Sequence, residues 1–234
     1  MLLTILIPAY NEENTIKKVV NKVKLLKLGE GYQKEIIVID DASFDRTPGI
    51  LKKIKGIKVI THKKNAGKGS AINTGIKKAK GDILIIQDAD LEYDPNYIPI
   101  LLKNLISKKV HVVYGTRLKN YPLRLSGTKR TPLITHYLGN KMLSYFTGIL
   151  YGTKITDMET GYKMFKKEAL RGIEIRSKRF DLEPEITAKI LKKGYEILEI
   201  PIKTTPRGYD EGKKITWKDG FVAIWTLIKY KFTD

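Results

Sequence analysis

The chain has 234 residues, with 44 lysines and arginines against 25 acids, a formal charge of +19 and no cysteine. That length is enough to bury one sizeable core, and the lack of cysteine excludes a disulfide framework and any thiolate metal centre. The basic excess favours an anionic partner, whether nucleic acid, membrane surface or phosphorylated ligand; the alternative is a lysine-rich solvated surface.

The first residues, Met1 to Pro8, are apolar but short and lack a basic flank, so they read as a first strand and not a signal peptide. Aliphatic and β-branched runs predict strands at 2–7, 35–39, 57–61 and 83–87. Helical spacing predicts helices over 12–28, where Ile16, Val19, Val20, Val23 and Leu26 share a face, and over 47–55 and 66–79. Pro95 opens another helix, running to about residue 107. Strands joined by crossover helices form a parallel sheet, whose ligands gather at the carboxyl ends of the strands. Polar residues stand at four such ends in turn, at 8–13, 40–47, 62–68 and 88–94.

The last of these ends is the most informative. Side chains alternate along an extended chain, so Asp88, Asp90 and Glu92 can converge on one side. Hard oxygen donors suit Mg²⁺ or Mn²⁺, which commonly share their shell with substrate phosphates; the alternative is a solvated acidic turn. After the second strand, Asp40 and Asp41 offer a carboxylate to a nucleotide base or ribose, or else Asp41 and Ser43 close a turn and cap the next helix. Gly67 and Gly69 allow close approach of a ligand beside the charge of Lys68, or mark an ordinary helix start.

In the second half, residues 110–115 read as a strand followed by Thr116-Arg117. Lys129 and Arg130 precede an apolar stretch at 133–146, an amphipathic helix that either touches lipid or packs in the core. A helix to residue 193 and a strand at 195–202 lead to Pro206-Arg207-Gly208 and Gly212-Lys213. Arg207 offers a planar fork and Lys213 a point charge for phosphate oxygens, their alternative being solvated loop charge. The last apolar run, 221–232, falls short of the roughly 20 residues a membrane span needs; it reads as an amphipathic, Trp- and Lys-bearing helix that lies at an interface or packs on the domain.

Four segments carry a resemblance: Pro8-Ala9-Tyr10-Asn11-Glu12-Glu13, Asp40-Asp41-Ala42-Ser43-Phe44-Asp45-Arg46-Thr47, Asn65-Ala66-Gly67-Lys68-Gly69 and Asp88-Ala89-Asp90-Leu91-Glu92. In this order and spacing they resemble family 2 glycosyltransferases of the GT-A fold, above all the dolichyl-phosphate mannose synthases and their polyprenyl-phosphate relatives. The resemblance implies a single α/β domain over 1–234, with a Rossmann-like, mostly parallel sheet flanked by helices. Its parts are a nucleotide-sugar half at 1–115, an acceptor half at 116–216 and a C-terminal amphipathic helix at 217–234.

The resemblance also implies site roles. Pro8, Ala9, Tyr10, Glu12, Asp40, Lys68, Asp88, Ala89 and Asp90 bind the donor, and Asp88, Asp90 and Glu92 hold Mg²⁺ or Mn²⁺, although the synthases commonly carry Gln where this chain has Glu92. Arg117, Arg130, Arg207 and Lys213 bind acceptor phosphate and, with Asp90 and Asp157, form the catalytic set; Asp157 lies in a loop at 156–163 that resembles the one closing over sugar and acceptor. A phosphate acceptor is already ionised near neutral pH, so Asp157 or Glu159 positions groups more than it removes protons. The implied reaction is inverting transfer of a hexose from a nucleoside diphosphate sugar to dolichyl or polyprenyl phosphate. Mannose from GDP-mannose is the first choice, and UDP-glucose or a UDP-N-acetylhexosamine the alternative.

Many such relatives add C-terminal spanning helices, whereas this sequence predicts none and implies a cytoplasmic protein in peripheral contact with an anionic membrane. Three rivals differ in what they require. A transferase with a soluble acceptor lacks the Arg207 and Lys213 grip, a sugar nucleotidyltransferase releases pyrophosphate, and a nucleic-acid-binding protein needs a basic groove or stacking platform that the sequence does not show.

Overall fold

The computed structural model describes residues 1–119, 134–179, 181–205 and 217–233. The β-branched runs form β1 (Leu2–Ala9), β2 (Gln33–Asp40), β3 (Lys58–Thr61), β4 (Ile83–Ile86), β5 (Val112–Thr116), β6 (Lys163–Lys166) and β7 (Ile197–Pro201). They make one sheet in the order β3-β2-β1-β4-β6-β5-β7, parallel throughout except for β6, which runs against both neighbours. The helices are α1 (Ile16–Leu25), α2 (Thr47–Lys52), α3 (Lys68–Lys78), α4 (Ile98–Ser107), α5 (Ile134–Tyr151), α6 (Lys167–Leu170), α7 (Leu182–Lys192) and α8 (Trp217–Phe232).

The central strands read as unbroken apolar runs because both their faces are covered. Ile5, Ile7 and Val38 point into a core shared with α1 and α4, while Leu6, Ile37 and Ile39 point into a second core shared with α3, α7 and α8. On α1, Ile16, Val19, Val20 and Val23 are buried at helical spacing, each worth about 1.5–3 kcal/mol of burial. Register then aligns the functional ends. Ala9 pairs with Asp40 and Leu6 with Ile86, so the chain leaves β1, β2 and β4 at one edge of the sheet.

Three expectations change. The helix predicted over 47–55 ends at Lys52. Pro95 opens a short 3₁₀ turn, Pro95–Tyr97, capped by the Asp94 side chain, before α4 begins. The strand β6 had no counterpart in the sequence reading.

Each of the two amphipathic helices buries one face and exposes another. On α5, Leu143, Ser144 and Thr147 are buried, while Leu138, Met142, Tyr145 and Ile149 are exposed along the opposite face. On α8, Ala223, Leu227 and Tyr230 are buried, while Val222, Trp225 and Phe232 are exposed. The Tyr151 hydroxyl of α5 donates to the Leu227 carbonyl of α8 at 2.8 Å, which places the helices side by side. Among the described residues, no helix is long and apolar enough to cross a membrane.

Candidate active site

The turn after β4 is shaped by a residue that sequence reasoning passed over. Gln87 is fully buried, and its amide donates to the carbonyls of Asp88 and Tyr93 at 3.0 and 3.1 Å while its oxygen accepts from the Tyr162 hydroxyl at 3.0 Å. These bonds close residues 88–93 into a tight loop, with Leu91 at φ 67°, a conformation that costs a side-chain-bearing residue about 1–2 kcal/mol. Within it, Asp90 Oδ1 accepts from the Glu92 backbone at 3.0 Å. Tyr93 stacks on Tyr162 with ring centroids 5.2 Å apart and accepts the Gly161 N–H on its hydroxyl at 2.9 Å. Burial pushes the Tyr93 phenol up to about 12, so it stays protonated.

Asp88 already has a cationic partner. Lys68, in the first turn of α3, places Nζ 2.9 Å from Asp88 Oδ1 and 2.9 Å from Glu183 Oε1. Burial alone would lower the lysine pKa, but the charges of Asp88 and Glu183 outweigh it and hold the ammonium well above its ordinary range. Glu183 stands in the first turn of α7, is 5% exposed, and leaves its second oxygen, Oε2, buried without a hydrogen-bond partner among the described residues. On the other side of Asp88, a Cβ added at Gly161 would lie 2.5 Å from Oδ2. Glycine there keeps that carboxylate oxygen accessible.

Asp40 and Asp41 divide the roles that the sequence left open. Asp41, nearly buried, accepts from the backbones of Ala66 and Gly67 at 2.7–3.1 Å and pairs with the His62 ring at 2.7 Å. It therefore anchors the loop that leads into α3 and carries Lys68. Asp40 accepts the Ser43 N–H on Oδ1 at 3.1 Å, while Oδ2 is buried with no partner among the described residues. Tyr10 meets Phe44 edge to face at 6.1 Å beside this strand end. Glu12 accepts the Thr15 hydroxyl at 2.7 Å, and its carbonyl takes the first N–H groups of α1, so part of its role is to start that helix. Pro8 and Ala9 close β1 alongside it.

The glycines of the α3 loop lie close against another segment of the protein. A Cβ at Gly67 would fall 2.0 Å from the Lys178 carbonyl oxygen, and one at Gly69 would fall 2.1 Å from that of Ser177. The 176–178 segment is held in place by Glu185, which accepts from the backbones of Arg176 and Ser177 and pairs with Lys189 at 2.6 Å.

Asp157 is fully buried and committed to Arg117, whose Nε and Nη2 donate to its two oxygens at 2.8 and 2.7 Å. Its backbone, with that of Thr156, donates to Glu199. With both oxygens engaged, Asp157 holds the Arg117 guanidinium in place. Burial opposes the charge of Arg117, yet Asp157 raises its pKa well above the ordinary value. Behind this pair, burial and then the Glu183 charge push Glu159 up to about 8, while burial pulls Lys163 down to about 8 against the acids around it. Lys163 Nζ donates to the Met158 carbonyl at 2.7 Å and sits 3.9 Å from the centre of the Tyr114 ring.

The structure thus brings Asp40, Lys68, Asp88 and Asp90 to one sheet edge, with Arg117 and Asp157 delivered from the second half. Among the described residues it gathers no group of three His, Asp or Glu side chains spaced to hold a metal ion, so Asp88, Asp90 and Glu92 do not converge as a set. Glu92 and Tyr93 instead contact the 204–205 segment, through Thr205 N–H to the Glu92 carbonyl at 3.0 Å and a bridge from Tyr93 to Thr204. Arg130, Arg207 and Lys213 lie outside the described residues. Glu183 and Gly161 carry no local signature, since their proximity to Asp88 arises only when α7 and the loop before β6 fold onto β4.

The mostly parallel sheet carries acids at its carboxyl edge with a lysine on one of them, an arrangement able to hold a charged ligand. Residues 4–173 match the model described as Glycosyl transferase family 2, and the chain belongs to that family. It is 33% identical, over 98% of its length and 96% of the relative's, to the UDP-N-acetylglucosamine–dolichyl-phosphate N-acetylglucosaminyltransferase of Methanococcus voltae. It is 27% identical to the dolichol-phosphate mannosyltransferase of Pyrococcus furiosus, covering 91% of this chain and 59% of that one. Among solved structures, glucosyl-3-phosphoglycerate synthase from Mycobacterium tuberculosis superposes with a TM-score of 0.72 at 20% identity, covering 99% of this chain and 79% of that one. The fold is accordingly an α/β fold of GT-A type.

Proposed function

We propose that this protein transfers a sugar from a nucleoside diphosphate sugar to a dolichyl-type polyprenyl phosphate. The observation that carries the reading is the shared sheet edge, which bears both the Asp88 carboxylate and Asp40 Oδ2, an oxygen without a partner among the described residues. A buried acceptor without a donor is costly, and an N–H or O–H of a nucleoside offers what Asp40 lacks. The Methanococcus voltae relative, similar over nearly all of both chains, favours UDP-N-acetylglucosamine as donor. The Pyrococcus furiosus relative supports a second reading, GDP-mannose.

Asp88 and Asp90 are hard oxygen donors of the kind Mg²⁺ and Mn²⁺ take, with Glu92 next in sequence at the same spacing, and Gly161 leaves room at Asp88 Oδ2. When bound, such an ion supplies positive charge against the departing diphosphate. Pro8, Ala9, Tyr10, Glu12 and Asp40 line the nucleoside side, and Lys68 and Ala89 face the diphosphate. Arg117, aimed by Asp157, works with Arg130, Arg207 and Lys213 on the acceptor phosphate and the charge that develops on the leaving group. The acceptor oxygen, already ionised, attacks the anomeric carbon with inversion and needs no general base, which agrees with an Asp157 engaged at both oxygens.

A lipid acceptor also gives the exposed apolar faces a use. Tyr145 and Ile149 of α5 and Trp225 of α8 are 72%, 66% and 66% exposed, with Lys141, Lys229 and Lys231 on the same helices. Apolar side chains beside lysines suit peripheral contact with an anionic membrane.

A transfer panel tests the proposal. UDP-N-acetylglucosamine, UDP-glucose and GDP-mannose are each incubated with a short polyprenyl phosphate and Mg²⁺ or Mn²⁺, and glycolipid is measured. Formation of a polyprenyl-phosphate sugar with at least one donor is expected, as is its loss in Asp90→Ala with the fold retained. Transfer only to soluble acceptors, or undiminished transfer with excess chelator, would reject the lipid or the metal assignment respectively.

A further inference from the structure

Lys68 and Glu183 form an arrangement that the sugar-transfer reading does not require. Nζ of Lys68 lies equally far, at 2.9 Å, from one oxygen of Asp88 and one of Glu183. An ammonium has three rotatable donors, and the second oxygen of Glu183 is buried with no partner among the described residues. Lys68 therefore has an unused acceptor on Glu183 within the same carboxylate, reached by a small rotation of its terminal bonds. Asp88 Oδ2 and Lys68 Nζ both border the space at Gly161, 2.5 and 3.4 Å from where a Cβ would stand.

We infer that Lys68 is an exchangeable counter-cation of Asp88, and that Glu183 is the positioning residue that takes Lys68 over when a divalent ion binds Asp88. The inference rests on the proposed metal-dependent reading. A divalent ion binds carboxylate oxygen at about 2.0–2.6 Å, and an ammonium 2.9 Å from Oδ1 of the Asp88 carboxylate opposes an ion on that carboxylate by like-charge repulsion. Moving fully onto Glu183 relieves that repulsion without stranding the lysine charge in the interior. Glu183 comes from a helix start 115 residues further along the chain, so the handover couples the second half of the protein to the charge state of the β4 turn.

The test is a direct Mn²⁺ titration of the full chain, followed by loss of the free-ion electron paramagnetic resonance signal, with no sugar donor present. Lys68→Met removes the competitor and is expected to tighten Mn²⁺ about tenfold, within the usual range of coupling between sites. Glu183→Gln leaves Lys68 only Asp88 to pair with, and weakens Mn²⁺ several-fold. The double variant matches Lys68→Met, because Glu183 has no lysine left to receive. A Glu183→Gln effect that persists undiminished in the Lys68→Met background would mean only a lost nearby charge and would overturn the inference. Unchanged or weaker Mn²⁺ binding by Lys68→Met would also overturn it, as would no binding by either protein at millimolar Mn²⁺. Lys68→Gln keeps an N–H donor without the charge and is read in the same way if Lys68→Met does not fold. Wild-type transfer in the donor panel is scored separately, so failure of the handover and failure of the transfer reading are told apart.

Discussion

Arg117 holds Asp157 three times over, through Nε, Nη2 and its own backbone N–H, at 2.8, 2.7 and 2.8 Å. Removing one partner of such a pair strands the other. Asp157→Ala is expected to destabilise the protein by about 3 kcal/mol, read from urea unfolding. Asp157→Asn keeps the shape but loses the charge and turns an N–H toward an Arg117 donor, so it too should destabilise, by less than Asp157→Ala, while transfer falls at least tenfold. Full activity in a folded Asp157→Asn protein would remove Arg117 from the acceptor site.

Neighbouring aspartates should give opposite results. Asp41→Asn loses charge-assisted bonds to Ala66, Gly67 and His62 and is expected to cost about 2 kcal/mol. Asp40→Asn removes a carboxylate with one partnerless oxygen; stability should stay within about 1 kcal/mol while nucleotide affinity drops about tenfold or more. Thermal melts with and without UDP and GDP separate the two.

Gly161→Ala tests access to Asp88. The added methyl would sit 2.5 Å from Oδ2, and the side chain, not the backbone, has to give way. The variant should fold with little change in melting temperature and lose most transfer. Wild-type activity would show that Asp88 can turn aside without consequence.

The buried acids predict a pH dependence with a definite sign. Glu159 is pushed up to about 8 from an ordinary value of 4.5, chiefly by burial and then by Glu183. Between those values the folded chain keeps a proton that the unfolded chain releases, so this contribution is complete below about pH 4.5 and is lost as pH rises through about 8. Lys163, pulled down to about 8 from 10.5 by burial, acts the other way, and its contribution recovers only from about pH 8 to 10.5. Urea midpoints should therefore fall from about pH 5 to 8, and Glu159→Gln should flatten that slope. A midpoint that rises over this range would contradict the burial of Glu159 as a neutral acid.

The exposed aromatics of α5 and α8 make a final prediction. Tyr145→Glu with Trp225→Glu replaces two rings that are 72% and 66% exposed, so stability should hold while co-flotation with anionic vesicles decreases at least several-fold. Equal flotation of variant and wild type would exclude this face as the contact.

Alternation of strand and helix was legible because strands buried on both faces are written as continuous aliphatic runs, as in Ile83–Ile86. The acids at the strand ends followed from that pattern. The strand β6 was not legible: four residues framed by lysines show no apolar run of strand length. Lys163 sits inside only because the Met158 carbonyl and the Tyr114 ring face receive its ammonium, and neither partner is predictable from spacing. Gly67 and Gly69 looked like ligand-facing glycines because their fit against Ser177 and Lys178 is a long-range contact. Glu183 and Glu185 are two residues apart on one helix, yet one reaches Lys68 and the other the 176–177 backbone; sequence alone gives no reason to separate them.

The reversed strand β6 also governs the order in which the chain can be completed. It stands between β4 and β5, hydrogen-bonded to both, although some 76 residues separate the end of β4 from its start. During synthesis, β4 and β5 emerge first and must wait with facing unpaired edges until residue 166 has been made. Exposed edges of that kind are sites of mispairing. A chain halted between β5 and β6 would carry the Asp88 turn without the Tyr162 hydroxyl that donates to the Gln87 oxygen, so the newborn protein acquires its acidic turn as a late event.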